Sequence, residues 1–156
     1  MSEFRVEKRR EAAEITLSTG GTLSGYFFLA GSTHLHAGPE RVGDLLNLDG
    51  GFFPFGAANG DATLINRAHV VKVVLPEHVI EAELDDGYGV ATRRHVALLL
   101  SSGETLTGHV AVYRPPGHDR LSDYAHSEER FRYVEQPDRT LLVNSLHIVS
   151  LLEVTE

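Results

Sequence analysis

The chain contains the same string twice. Ile15 to Gly25 reads ITLSTGGTLSG, and Leu98 to Gly108 reads LLLSSGETLTG, with six of eleven positions identical. Arg41-Val-Gly-Asp44 returns as Arg120-Leu-Ser-Asp123. Leu64-Ile-Asn66-Arg-Ala-His69-Val-Val71 returns as Leu142-Val-Asn144-Ser-Leu-His147-Ile-Val149. The matches keep their order at offsets of 83, 79 and 78. A repeat of this kind means that each copy is one supersecondary unit and that neighbouring units bury one another's apolar faces. It divides the 156 residues into a first unit over 1–77, a connector over 78–93 and a second unit over 94–156. Units this small are marginal alone and gain from packing together.

Each unit reads as short strands broken by turns. Ala12–Thr19 and Thr22–Ala30 flank Gly20-Gly21, and Arg94–Ser101 and Thr105–Tyr113 flank Ser102-Gly103-Glu104. Two β runs around a glycine-bearing turn signal a hairpin. Gly25 and Gly108 sit inside the second strands, where glycine marks a bend or a close backbone approach. A longer connection with one helical turn follows, at Arg41–Asn47 and Arg120–His126. Third strands are expected at Phe52–Phe55 and Phe131–Gln136, fourth strands at Ala62–Asn66 and Arg139–Asn144, and fifth strands at His69–Leu75 and His147–Val154. In the connector, the alternating segment Ile80–Leu84 reads as an extra strand.

Five short strands per copy, with a bent second strand and a tight turn before the fifth, resemble the Sm-like/SH3-like small barrel. The apolar-x-apolar-x-x-Gly-x-x-x-x-Gly pattern at Ile15–Gly25 and Leu98–Gly108 is similar to the start of an Sm core. The resemblance implies an all-β fold of two tandem five-stranded barrels packed together, similar to uncharacterised bacterial domains of this type. Sm-like proteins hold uridine with an Asp-x-apolar-Met-Asn loop and an Arg-Gly pair. This chain has Asp44-Leu-Leu-Asn47 and Asn66-Arg67-Ala-His69 in one copy, and Asp123-Tyr-Ala-His126 and Asn144-Ser-Leu-His147 in the other. The resemblance therefore implies fold rather than RNA recognition.

Charge points the same way. The net charge is -8, with seven basic and nine acidic side chains in residues 1–78 and seven against thirteen in 79–156. Nucleic-acid binders present a basic face to phosphates, whereas here the one dense basic cluster, Lys8-Arg9-Arg10, is flanked by Glu7 and Glu11. No apolar run reaches the ~20 residues of a membrane span, and the first ten residues lack the apolar core of a secretory signal. Cysteine is absent, which excludes disulfides and thiolate chemistry and fits a cytoplasmic chain. Twelve of the fourteen basic residues are arginine, which hints at a GC-rich bacterial genome.

Most site-like motifs fail on context. Gly20-x-x-x-x-Gly25 has phosphate-loop spacing but lacks the Lys-Ser/Thr and the helix that such a loop requires. Asn47-x-Asp49-Gly50 lacks the ligand set of a calcium loop. No nucleophile elbow or glycosidase carboxylate pair is present, and no cofactor is expected. His34, His36 and His118 fall in the long connections and are the candidate metal ligands. The Asn-x-x-His pairs Asn66/His69 and Asn144/His147 read as turn closures, because a role shared by both copies belongs to the fold. Arg41/Asp44 and Arg120/Asp123 read as caps or loop anchors, with Arg41 and Arg120 also candidate partner contacts. Phe52-Phe53-Pro-Phe55 places one phenylalanine of its adjacent pair outside its own barrel, so Phe52, Phe53 and Phe55 are candidates for a contact with the other barrel or another subunit. The leading expectation is a non-enzymatic protein-interaction or scaffold module that accepts a partner strand or self-associates. An Sm-like RNA binder outside the usual pattern, using Arg41, Arg67 and Arg120, is the alternative. A metal-dependent enzyme built on the loop histidines is the third.

Overall fold

The computed structural model describes residues 8–31, 38–77, 79, 81–84, 87–113 and 129–155. The expected helical turn at 120–126 lies outside them. The first half contains β1 (Lys8–Leu17), β2 (Thr22–Ala30), the short helix α1 (Val42–Leu46), β3 (Phe52–Gly56), β4 (Ala62–Asn66) and β5 (Val70–Val74). The second contains β6 (Thr92–Leu100), β7 (Thr105–Val112), β8 (Phe131–Gln136), β9 (Arg139–Asn144) and β10 (Ile148–Glu153). The protein is all-β, and its described strands form one ten-stranded antiparallel order, β10-β6-β7-β8-β9-β5-β1-β2-β3-β4. Each half contributes the same internal order, with its last strand beside its first. The halves meet edge to edge where β5 pairs with β9.

Repeat-related residues make the same local bonds. Gly20 and Gly103 adopt φ of 93° and 90°, a left-handed geometry that glycine enters without the steric penalty of a Cβ. The hairpin turns close through Leu17 N–H to Gly21 O and Leu100 N–H to Glu104 O, at 2.8 and 2.9 Å. Pairing of β1 with β5 shifts register between Leu17↔Val70 and Thr16↔Lys72, which leaves Val71 as the extra residue. Pairing of β6 with β10 shifts in the same way around Val149.

Gly25 and Gly108 are where β2 and β7 press against the next strand. A Cβ on Gly25 would strike the carbonyl oxygen of Gly56 in β3, and one on Gly108 would strike Glu135 O and Val134 in β8. The close approach curves each half over its own apolar face. Phe27 stacks on Phe53 at 5.5 Å between ring centroids and meets Phe55 edge-on at 5.1 Å. Phe53 and Phe55 are thus core residues of the first half, and strand alternation turns Phe52 outward.

Two apolar cores result, and each borrows from the other half. The first contains Ile15, Phe27, Leu29, Val42 and Val73 together with Phe131 and Leu142 of the second half. The second contains Val96, Leu98, Leu106 and Val110 together with Val71 of the first.

One strand expectation is corrected. The segment Glu81–Leu84 is a short 3-10 helix and not a strand. Burial does not alternate there, since the neighbours Glu81 and Ala82 are both buried while Glu83 and Leu84 are both exposed, and Glu81 is drawn inward by backbone N–H donors. Among the described residues no helix is long and apolar enough to cross a membrane.

Gly25→Ala and Gly108→Ala are each expected to lower stability by about 1–3 kcal/mol, the usual range for forcing atoms into a filled site. Gly89→Ala, where a Cβ meets nothing, is the control. Urea unfolding of the three variants checks this, and equal midpoints for all of them would contradict the close-approach account.

Candidate interaction edges

The ladder between the halves is short but reinforced by side-chain hydrogen bonds, and among the described residues no further strand lies beside its counterparts at the two ends of the sheet. Three residue pairs carry the seam ladder: Lys72↔Val143, Val73↔Leu142 and Val74↔Leu141. Asn144, fully buried, holds the adjoining turn. Its amide nitrogen donates to Val70 O at 2.9 Å and Arg67 O at 3.3 Å, and its oxygen accepts from Leu146 N–H at 3.0 Å. His147 Nε2 lies 2.7 Å from Ala68 O across the seam. A carbonyl can only accept, so Nε2 carries the proton, and in the neutral ring Nδ1 accepts from the Ser101 hydroxyl at 2.7 Å. Asn47 clamps β8 with both amide atoms, donating to Phe131 O at 3.0 Å and accepting from Phe131 N–H at 2.8 Å. Lys72 and Glu104 add an ion pair of 2.6 Å.

Glu81 locks the seam from the connector. Its carboxylate accepts from Val42 N–H at 2.8 Å and Gly43 N–H at 3.2 Å at the start of α1, and from the Tyr133 hydroxyl on β8 at 2.9 Å. Gly43 is required there, because a Cβ would run into the Tyr133 ring and hydroxyl. Burial pushes the Glu81 carboxyl pKa up, while the two backbone donors, Tyr133 and Arg41 pull it back. Tyr88 ties the connector to β8 through Glu135, at 2.8 and 2.9 Å, and its phenol is pushed up to about 12 by burial and that carboxylate.

Arg41 faces Asp44 at 3.5 Å, its backbone N–H donates to the Asp44 carboxylate, and its side chain reaches Glu81 O. These contacts anchor a loop. Arg67 is buried, with its guanidinium donating to Leu45 O, Gly50 O and Phe52 O. Burial first and the Arg130 charge second lower its pKa. Its side chain is committed to backbone carbonyls and does not present charge to a ligand. Arg120, His34, His36 and His118 lie outside the described residues, and among the described residues no cluster of three metal-ligating side chains occurs. A cleft of about 360 Å³ opens beside the seam between Leu46–Gly50 and Glu129-Arg130. It mixes both signs of charge and converges on no reactive group.

Among the described residues the open edges are β4 and β10, the two ends of the strand order. Edge strands in soluble proteins are commonly blunted by lysine, proline or bulges that turn the edge away. β4 is ATLIN, with no charge and no proline, and β10 is IVSLLE, charged only at Glu153. Beside and along these strands stand exposed apolar side chains: Phe52 and Leu64 at one end, Leu146, Val149 and Leu152 at the other. From the sequence alone, alternation turns one of the adjacent pair Phe52/Phe53 outward without saying which, and the structure shows that it is Phe52. The sequence holds no sign of the others, because which strand lies at an edge is set by long-range pairing.

No protein-family model, curated protein or solved structure matches the chain.

Because the folded state holds the Glu81 proton more tightly than the unfolded chain, the stability contributed by this group is greatest at low pH. It falls as pH rises from the unfolded value of about 4.3 through the raised folded value, and it levels off above. Glu81→Gln should remove that slope, read as urea midpoints between about pH 4 and pH 8; an unchanged slope would show that another group is responsible. Asn144→Ala should destabilise by about 2–4 kcal/mol, since it strands buried backbone groups. Asn66→Ala, which loses only the cap on Ala68 N–H, should cost about 1 kcal/mol. Denaturation at low protein concentration compares the two.

Proposed function

We propose that the protein is a non-enzymatic interaction or scaffold module, built as two small Sm-like/SH3-like barrels, that docks polypeptide on its open strand edges. The observation that carries this reading is the state of β4 and β10. Each is a terminal strand with solvated apolar side chains and no lysine or proline along its length, and the irregularity of β10 at Val149 matches one in β5 that does not stop β5 from pairing with β9. Strand addition at such an edge supplies backbone hydrogen bonds for affinity and side-chain contacts for specificity. The shared strand order of the two halves and their glycine-bent second strands support the barrel reading. The cytoplasm of a bacterium is the setting that the cysteine-free, arginine-rich composition suggests.

A photoreactive residue placed at Leu64 or at Leu152 tests the reading. Val90 is the control, being more exposed than either and outside every strand. Cross-linking to polypeptide is expected several-fold above the control at both edge positions. Yields equal to that at Val90 would remove edge docking as the function.

A further inference from the structure

The two open edges are the repeat-related counterparts of the two edges already joined inside the chain. β4 corresponds to β9 at an offset of 78, and β10 corresponds to β5 at the same offset. We infer that the occupant of both edges is a second copy of this chain, added head to tail: β10 of one molecule pairs with β4 of the next as β5 pairs with β9. This rests on the edge-docking reading above and names its partner.

Burial at corresponding positions carries the argument. At the seam, Leu142 is 0% exposed and Phe131 is 1% exposed, both inside the core of the other half. Their counterparts at the free β4 end, Leu64 and Phe52, are 69% and 60% exposed. Phe131 and Phe52 correspond because each pairs with the asparagine that ends the following strand. On the other side of the seam Val71 is 0% exposed and belongs to the second half's core, while its counterpart Val149 is 64% exposed. Each free end therefore shows solvent the side chains that the seam buries, on the same strands and at the same register.

The polar fittings are also present. Asn66 caps Ala68 N–H as Asn144 caps Leu146 N–H, so its amide nitrogen is placed to donate to Ser145 O and Ile148 O of the preceding molecule. His69 holds Ser18 at 2.8 Å as His147 holds Ser101 at 2.7 Å, so its Nε2 is placed to reach the preceding molecule's Leu146 O. Transferring the seam register gives Ser150↔Ile65, Leu151↔Leu64 and Leu152↔Thr63 between molecules. Three elements of the seam have no counterpart there. Pro54 stands where Tyr133 donates to Glu81, Ser150 and Gly21 stand where Lys72 meets Glu104, and His126 stands in the sequence where Asn47 clamps Phe131. The intermolecular joint is accordingly weaker than the internal one, reversible and concentration-dependent. It is heterologous, and such joints propagate into rings or open arrays and not into isolated two-fold dimers.

Leu64→Lys blocks one edge and Leu152→Lys the other, and both positions are exposed, so the subunit fold should survive, as circular dichroism will show. In sedimentation at rising concentration, the wild type should grow in steps of 17.1 kDa. Each variant alone should stay at the single-chain mass, and an equimolar mixture of the two should form a pair and stop there. A single variant that still dimerises would overturn the head-to-tail joint. Wild type that stays monomeric while the edge cross-linkers at 64 and 152 capture another polypeptide would overturn the second copy but keep edge docking. No capture at either position would end both. Register is read separately with introduced cysteines, since the chain has none. Leu64→Cys mixed with Leu151→Cys should form disulfide-linked pairs faster than Leu64→Cys mixed with Glu153→Cys, and equal rates would overturn the register.

Discussion

A strand at the end of a sheet leaves a row of backbone N–H and C=O groups unpaired, and everything in this molecule follows from how that row is handled at one place. Between β5 and β9 the ladder is continued from one half into the other. Because β5 begins immediately after one tight turn and β9 ends immediately before another, joining them brings both turns together. Asn144 and His147 then bridge to backbone of the first half, and Phe131 and Leu142 enter the first core. Fully burying a side chain of that size contributes about 1.5–3 kcal/mol relative to leaving it in water. Neither half could complete its core without the seam, and a unit this small has little core to lose.

The halves share a plan but not a set of locks. Glu81 belongs to the connector, which occurs once, and it reaches Tyr133 and the start of α1 together. Arg67 is similarly unrepeated, since Ser145 stands at its counterpart. In each case a charged group is taken out of water and surrounded by complementary partners, backbone N–H groups for the carboxylate and backbone carbonyls for the guanidinium. Breaking such an arrangement is far more costly than never having made it. Arg67 thereby ties the loop after α1 to its own half, whereas Glu81 spans both halves and favours the joint made inside one chain.

The repeat made much of this legible. β2, β4, β8 and β9 fall where turn residues and alternation place them, and the glycines of the second strands mark the approach to β3 and β8. The adjacent phenylalanines showed that alternation must turn one of them outward, but not which one. What local pattern does not contain is the partner of an edge. Val71 and Val149, or Leu142 and Leu64, are the same kind of residue in the same kind of strand, and only the pairing of β5 with β9 separates their fates. Glu81 was hidden for a related reason. In a stretch containing Glu81, Glu83, Asp85 and Asp86, one buried carboxylate looks like a solvated face until the N–H groups of α1 are seen above it.

The same logic bears on the charge of the chain. Exposed apolar strand edges invite indiscriminate pairing, and a net charge of -8 opposes close approach of copies in most orientations, an effect that salt weakens. An orientation survives that repulsion when short-range gains exceed it, and those gains are directional here. A leucine on β4 finds its counterpart only at one register of β10, and a one-residue slip turns every side chain of the strand to the opposite face. Long-range repulsion and register-specific burial together favour one mode of edge contact over the many that an uncharged edge would permit. That is the arrangement expected of a surface meant to be paired, in contrast to an edge that solubility requires to be blunted.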